Sequence, residues 1–244
     1  MTATGLPALI IGAWWLLSAD STSFYFPPLR EIVEAGAEQW RTGELQRNLG
    51  ASAGNWVIAL CIILIAGIGA GFVLGRYRGV HQALFPVLEF ARSMPAVVLL
   101  PVMLLVLGQG RSMQVAAIAY AAVWPVLLNS IEGFRSAGSQ MDDVARSYRL
   151  SRWDRVTRIE IPAALPRILS GVAVSLPLAV GVVVIAEMVG STEGLGHAIL
   201  RAQQTFEVRD MWFGTIVIGS LGYVVTVVYR WLCWVLLRWH PETN

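Results

Sequence analysis

Hydrophobic positions in this chain come in long blocks, separated by short polar stretches. A bilayer core about 30 Å thick is crossed by roughly 20 apolar residues wound as a helix. Five blocks fit that length: Trp56–Leu74, Phe85–Leu107, Met113–Ile131, Ile168–Val189 and Met211–Tyr229. A sixth, Leu6–Ala19, is shorter. It reads either as a first span with a ragged start or as a signal-peptide core, since Leu17-Ser18-Ala19 precedes Asp20. A signal peptide wants a basic leader, which Met1–Gly5 lacks, and Trp14-Trp15 suits an interfacial anchor, so the span is the preferred reading. The pattern predicts an all-α fold, a polytopic membrane helix bundle of about six transmembrane helices. One domain, residues 1–244, takes up the whole length.

Pro95 and Pro101 interrupt the third block, Pro125 the fourth and Pro177 the fifth. Each removes a helix hydrogen bond, tolerable in a membrane only where protein or water re-satisfies the backbone. These helices are expected to be kinked and to line something, which makes Pro95 and Pro101 pathway candidates. Kinks that serve packing alone are the competing reading. Gly67, Gly71 and Gly75 recur every four residues and make a flat ridge for close helix approach.

Charge sets the orientation. With six spans and a cytoplasmic N-terminus, the inner segments hold Arg76, Arg78, seven Arg between 132 and 167, and Arg238, ten in all. The outer segments hold six: Arg30, Arg41, Arg47, Arg111, Arg201 and Arg209. The excess places both termini inside and Asp20–Asn55 outside.

Composition removes whole function classes. Hydrophobic residues make up 56% and charged residues 14%, against about 25% charged in soluble domains. All 18 basic residues are Arg. Without Lys there is no Walker A loop and no Schiff-base chemistry. A scattered net charge of +2 is no nucleic-acid footprint. Cys61 and Cys233 lie in apolar runs, and His81, His197 and His240 are isolated, so no metal or cofactor site is expected.

The polar stretch Ser139–Pro166, within a cytoplasmic loop of about 132–167, is the most informative. Ser139-Gln-Met-Asp142 and Ser151-Arg-Trp-Asp154 have capping-box spacing. They predict two short helices, about 140–149 and 152–160, the second stopped by Pro162. Val144 and Tyr148 share one face of the first, Trp153 and Val156 one face of the second. Such stripes are buried either by a protein partner at the membrane surface or by folding back on the bundle.

Together these features resemble the permease subunit of bacterial ABC importers, in the nitrate/sulfonate/taurine branch of the binding-protein-dependent inner-membrane components. The cytoplasmic signature of that family reads E-A-A-x3-G-x9-I-x-L-P. Here Asp143, Val144 and Ala145 stand at its start, Arg149 at the glycine, and Ile159, Ile161 and Pro162 at its end. Ala163-Ala164-Leu165-Pro166, Ser151-Arg152-Trp153, Glu187-Met188 with Gly194-Leu195-Gly196, the Pro95…Pro101 run and Trp124–Asn129 are also similar to this branch. The likeness covers the chain from about Leu45.

The resemblance implies a type I permease fold in the bacterial inner membrane. It implies that the signature loop is a coupling helix, with Asp143, Val144, Ala145, Tyr148, Arg149, Trp153, Ile159, Ile161 and Pro162, docking on separate ABC ATP-binding subunits. ATP would be bound by those partners and by no site on this chain. The implied company is a second permease chain and a periplasmic or lipid-anchored solute-binding protein, and the implied cargo a small anion or organic solute. Arg149 departs from the pattern, since Arg does not adopt positive φ cheaply. Either the turn differs, or a second, more typical chain completes a heterodimer, or the substitution is harmless.

Glu187, near the outer end of the fifth block, is a candidate for the pathway or for contact with the binding protein. Its plain alternative is a helix-end Glu paired with Arg or facing water. Glu89 and Arg92, three apart, read as a structural ion pair. Gly50-Ala-Ser52-Ala-Gly54 matches the nucleophile elbow G-x-S-x-G but leads into a membrane helix, so chance explains it. Trp14, Trp15, Trp56, Trp231 and Trp234 flank the blocks as interfacial anchors. No nucleophile–base set suggests an intramembrane enzyme. An ion-coupled secondary transporter is the alternative function, although no internal repeat is visible.

Overall fold

The computed structural model describes residues 5–147 and 150–237, with side chains described outside 5–11, 137–147 and 152. Its described secondary structure is helical: α1 (Gly5–Ser18), α2 (Leu29–Thr42), α3 (Glu44–Arg76), α4 (Arg78–Ser93), α5 (Ala96–Leu107), α6 (Arg111–Ser147), α7 (Arg152–Arg155), a π turn (Val156–Glu160), α8 (Ile161–Gly190), α9 (Leu195–Gln204) and α10 (Val208–Leu236).

Among the described residues, four helices are long and apolar enough to cross a membrane: α3, the Arg111–Ser136 part of α6, Trp153–Gly190 and α10. The block expected as one kinked span, Phe85–Leu107, is two helices bent by 93°. The break has a local cause. Met94, held extended (ψ 119°), precedes Pro95, whose ring disfavours helical geometry in the residue before it. At 1.5 Å per residue, the 16 residues of α4 reach about 24 Å and the 12 of α5 about 18 Å, so neither half crosses a core of about 30 Å alone. The 14 residues of α1 reach about 21 Å, and the described residues therefore give no sixth full span.

Pro101, Pro125 and Pro177 stay inside continuous helices, so of the four expected interruptions Pro95 alone breaks a span. Beside Pro125, whose missing N–H would have bonded the Ala121 carbonyl, the Ser175 hydroxyl donates to the neighbouring Ala122 carbonyl at 2.7 Å and ties α8 to α6 at this level. The loop expected over 139–166 is also mostly helix. Ser139 lies within α6, which runs on to Ser147, so no helix starts there. The second expected helix does begin after Ser151, but Pro162 does not stop it. A π turn precedes the proline, closed by the Ile161 N–H on the Val156 carbonyl, and the helix continues as α8. Widening by one residue before the proline absorbs the clash that its ring would cause in a regular α-helix.

The core is the trio α3, α6 and α8. Ala59 and Ile63 of α3 meet Ile118, Ala122 and Val126 of α6 and Leu176 and Ala179 of α8. On α3 the buried positions Ser52, Asn55, Ala59, Ile63, Gly67 and Gly71 follow helical spacing and form one stripe. The glycine ridge works as its spacing predicts: Gly67 faces Val126, Gly71 faces Ser130 and the Leu127 carbonyl, and Gly75 faces the Ile131 carbonyl and Phe134. Around the trio, α2 and α9 sit with the N-terminal halves of α3 and α10 at one end, and α7 sits at the other.

A Cβ on Gly71 would overlap the Ser130 side chain, while Gly69 has open space around it. Gly71→Val is therefore expected to destabilise the fold by about 1–3 kcal/mol through overpacking. Gly69→Val should leave stability near the wild type, and thermal melting of the purified variants in detergent compares the two.

Candidate functional site

Ser151 starts the elbow, the segment 151–162 that leads through α7 and the π turn into α8. Its hydroxyl accepts the Asp154 backbone N–H at 3.1 Å and donates to the Asp154 carboxylate at 2.6 Å. Its carbonyl takes the Arg155 N–H at 3.0 Å, so Ser151 is an N-cap as the spacing predicts. Trp153, two residues on, is 75% exposed. The Glu160 carboxylate is buried, accepting from Arg76 Nη1 at 2.6 and 2.7 Å and from Arg155 Nε at 2.8 Å. Glu160 thus fastens the elbow to the C-terminal turn of α3. Burial demands this pairing, since a lone carboxylate out of water costs several kcal/mol.

Of the sequence-derived elbow residues, Ile159 and Pro162 are half-buried and Ile161 is exposed. Asp143, Val144 and Ala145 lie on the last turns of α6, with side chains outside the described set, and Tyr148 and Arg149 lie outside the described residues.

A second polar cluster closes the other end of the trio. Glu187 is fully buried. Its Oε2 accepts from the Ser52 hydroxyl and from the Gly196 N–H, both at 2.9 Å. Ser52 also accepts the Leu195 N–H at 2.9 Å, and Asn48 accepts the Gly194 N–H at 3.1 Å. The turn from α8 to α9 is thereby folded over the carboxylate. Gly194 has φ 113°, and a Cβ there would overlap the Glu187 carboxyl, so glycine is required twice over. Glu187 neither faces water nor pairs with an arginine among the described residues, unlike its plain sequence reading.

One turn deeper, Asn55 donates to Gln114, with a short N–H···O contact, and accepts from Arg111 Nε at 3.2 Å. Gln114 donates to the Gly190 carbonyl at 3.1 Å. This row joins α3, α6 and α8 at one level.

The other candidates lie apart. Pro95 and Pro101 are exposed on the bent pair, while Glu187 is turned toward α3. Glu89 and Arg92 pair at 3.0 Å, as expected. Gly50–Gly54 is plain helix within α3, the geometry of no nucleophile elbow.

Sequence reasoning passed over Glu160, Arg76, Ser52, Asn55 and Gln114. A signal existed for each group. Asn48, Ser52 and Asn55 are spaced i, i+4, i+7 on a helix entering the membrane, which demands polar partners. Glu160 is one of two acids, with Asp154, among the arginines of 150–167.

The comparisons with known proteins agree with this architecture. The model of the family described as the binding-protein-dependent transport system inner membrane component matches residues 63–236, and the chain belongs to that family. It is 30% identical over 238 residues to the putative aliphatic sulfonates transport permease protein of Bacillus subtilis, covering 96% of this chain and 86% of that one. It is 26% identical to the taurine transport system permease protein of Escherichia coli, covering 98% and 90%. It is 32% identical over 177 residues to the bicarbonate transport system permease protein of Synechococcus elongatus, covering 72% and 64%. The chain is thus a multi-pass inner-membrane transport component of a non-catalytic family.

Glu160→Ala leaves Arg76 and Arg155 without their shared carboxylate. The expected loss is a fraction of the about 3–5 kcal/mol seen for fully buried pairs, because both arginines keep about a quarter of their side-chain surface exposed. Gly194→Ala should cost at least as much as Glu160→Ala, through strain and the clash with Glu187. Melting temperatures of the two variants, measured beside wild type, check both.

Proposed function

We propose that this chain is the membrane-spanning subunit of an ATP-driven importer. It carries a small oxyanion or small organic solute inward and takes mechanical work from separate ATP-binding subunits. Both termini are cytoplasmic in this reading, which takes the short α1 as the first of six crossings; residues 1–244 act as one permease domain, and the chain itself binds no cofactor. A solute-binding protein delivers the cargo, and a second permease chain completes the pathway. The names of the relatives, covering sulfonates, taurine, bicarbonate and nitrate, favour a small anionic or zwitterionic cargo.

The observation that carries the reading is the elbow. A capped helix presents Trp153 outward, while Glu160 ties the same segment to α3. A push on the exposed side then reaches the packed trio and not a loose loop. Asp143, Val144, Ala145, Tyr148 and Arg149 would complete the docking surface, with Ile159, Ile161 and Pro162 joining it to α8. The Arg excess around 132–167 favours a cytoplasmic position for this end. At the opposite end, the Glu187 cluster would hold the outer side shut in the present conformation, with Pro95 and Pro101 on the bent pair along the route.

Reconstitution of the chain with its ATPase and binding protein in proteoliposomes tests this. Uptake should require ATP. Trp153→Asp should lower transport per ATP hydrolysed by about tenfold, the range of a lost interfacial aromatic anchor. Uptake driven by an ion gradient without any ATPase would overturn the proposal in favour of a secondary transporter.

A further inference from the structure

A cleft of about 460 Å³ opens between the start of α8 and the end of α10, on the elbow side of the molecule. Leu169, Ala173 and Leu176 form one wall; Tyr229, Arg230 and Cys233 form the other. The lining is mainly apolar, Arg230 is its one charged residue, and no acid borders the cleft among the described residues. The hydroxyls present are already committed as donors. Tyr229 donates to the Leu169 carbonyl at 2.5 Å, Thr226 to the Gly222 carbonyl at 2.8 Å and Ser170 to the Pro166 carbonyl at 3.0 Å. The Arg230 guanidinium is exposed and forms none of the described ion pairs or hydrogen bonds.

Depth fixes what such a cleft meets. Arg209 and Arg230 stand 21 residues apart on α10, about 32 Å along a helix. That matches the hydrocarbon thickness of a bilayer, about 30 Å. Arg230 therefore sits at a headgroup boundary, and the exposed Trp231 and Trp234 beside it are the aromatic residues that favour this level. An apolar slot running inward from a cation at headgroup depth fits an amphiphile with a negative head and a hydrocarbon tail. Basic pockets between membrane helices hold anionic lipid headgroups for this reason.

We propose that the α8–α10 cleft binds one anionic phospholipid, its phosphate on Arg230 and one acyl chain along Leu169, Ala173 and Leu176. The tail closes the gap between two helices that otherwise meet lightly, and the head fixes the end of α10 beside the elbow. The site is independent of the cargo and of the ATPase.

The test uses the full-length chain purified in mild detergent, with phosphatidylglycerol or phosphatidylcholine added, and native mass spectrometry to count retained lipids. One phosphatidylglycerol should be retained with at least fivefold preference over phosphatidylcholine. Arg230→Gln should abolish the preference. Ala173→Phe, at an exposed position that keeps the charge but fills the slot, should reduce retention to the same extent. Arg78→Gln, an exposed cation at the same end, should change nothing. Equal retention of the two lipids overturns the proposal. So does a loss in Arg78→Gln as large as in Arg230→Gln, which would mark general surface attraction. A change in the dimer fraction of Arg230→Gln with unchanged lipid retention also overturns it, assigning the cleft to a second copy of the chain.

Discussion

The close approach of α3 to α6 decides where everything polar in this protein can go. Glycines at 67, 71 and 75 let the α3 backbone lie against Val126, Leu127 and Ile131 without intervening side chains. That fixes the α3 axis, and its two ends then fall where two carboxylates need donors. Ser52 arrives at Glu187, and Arg76 arrives at Glu160. Both acids lie in the continuous helix running from Arg152 to Gly190. A shift of α3 by one residue would strand both at once, and an unpaired carboxylate in or beside a bilayer has no water to turn to.

This gives the trio of α3, α6 and α8 the character of a strut tied at both ends. The surrounding elements are fastened less firmly. Within α4 no residue is buried, and α5 contributes Leu100 to a small cluster with Met113, Ala117 and Ala186. The 93° break between α4 and α5 leaves a bent arm on one side of the strut. Under the proposed function, a stiff member taking force at the elbow and a looser arm beside it would divide the work between transmission and gating. Two packed arrangements of such an arm are the kind of bistable element on which transport cycles depend.

The sequence made some of this legible because its signals were periodic or local. Block length gave α3, α6, α8 and α10. The four-residue glycine repeat gave the ridge, and the Ser151–Asp154 spacing gave the cap. What it hid was the continuation of helices through apparent stops. Ser139 has the spacing of a cap yet sits inside α6, since a capping box is a property of a chain that has already left the helix. Pro162 reads as a terminator, but a π turn before it removes the clash. Conversely, Phe85–Leu107 has the length of one span, and although Pro95 marks a kink, hydropathy does not register that the backbone turns by 93° there. Glu160 and Ser52 escaped notice for a different reason. Each occupies a position that a motif leaves unspecified or that chance explained, and their importance comes from partners 84 and 135 residues away.

The widened turn at Val156–Glu160 carries one residue more than a regular α turn, and each residue of an α-helix advances the side-chain direction by about 100°. Two segments of one continuous rod are thereby set out of phase. Without the insertion, the face that shows Trp153 would be rotated by about that angle relative to the face that α8 presents to its neighbours. Loss of a single amino acid from this stretch would re-aim the outward tryptophan while leaving the hydrophobic composition untouched.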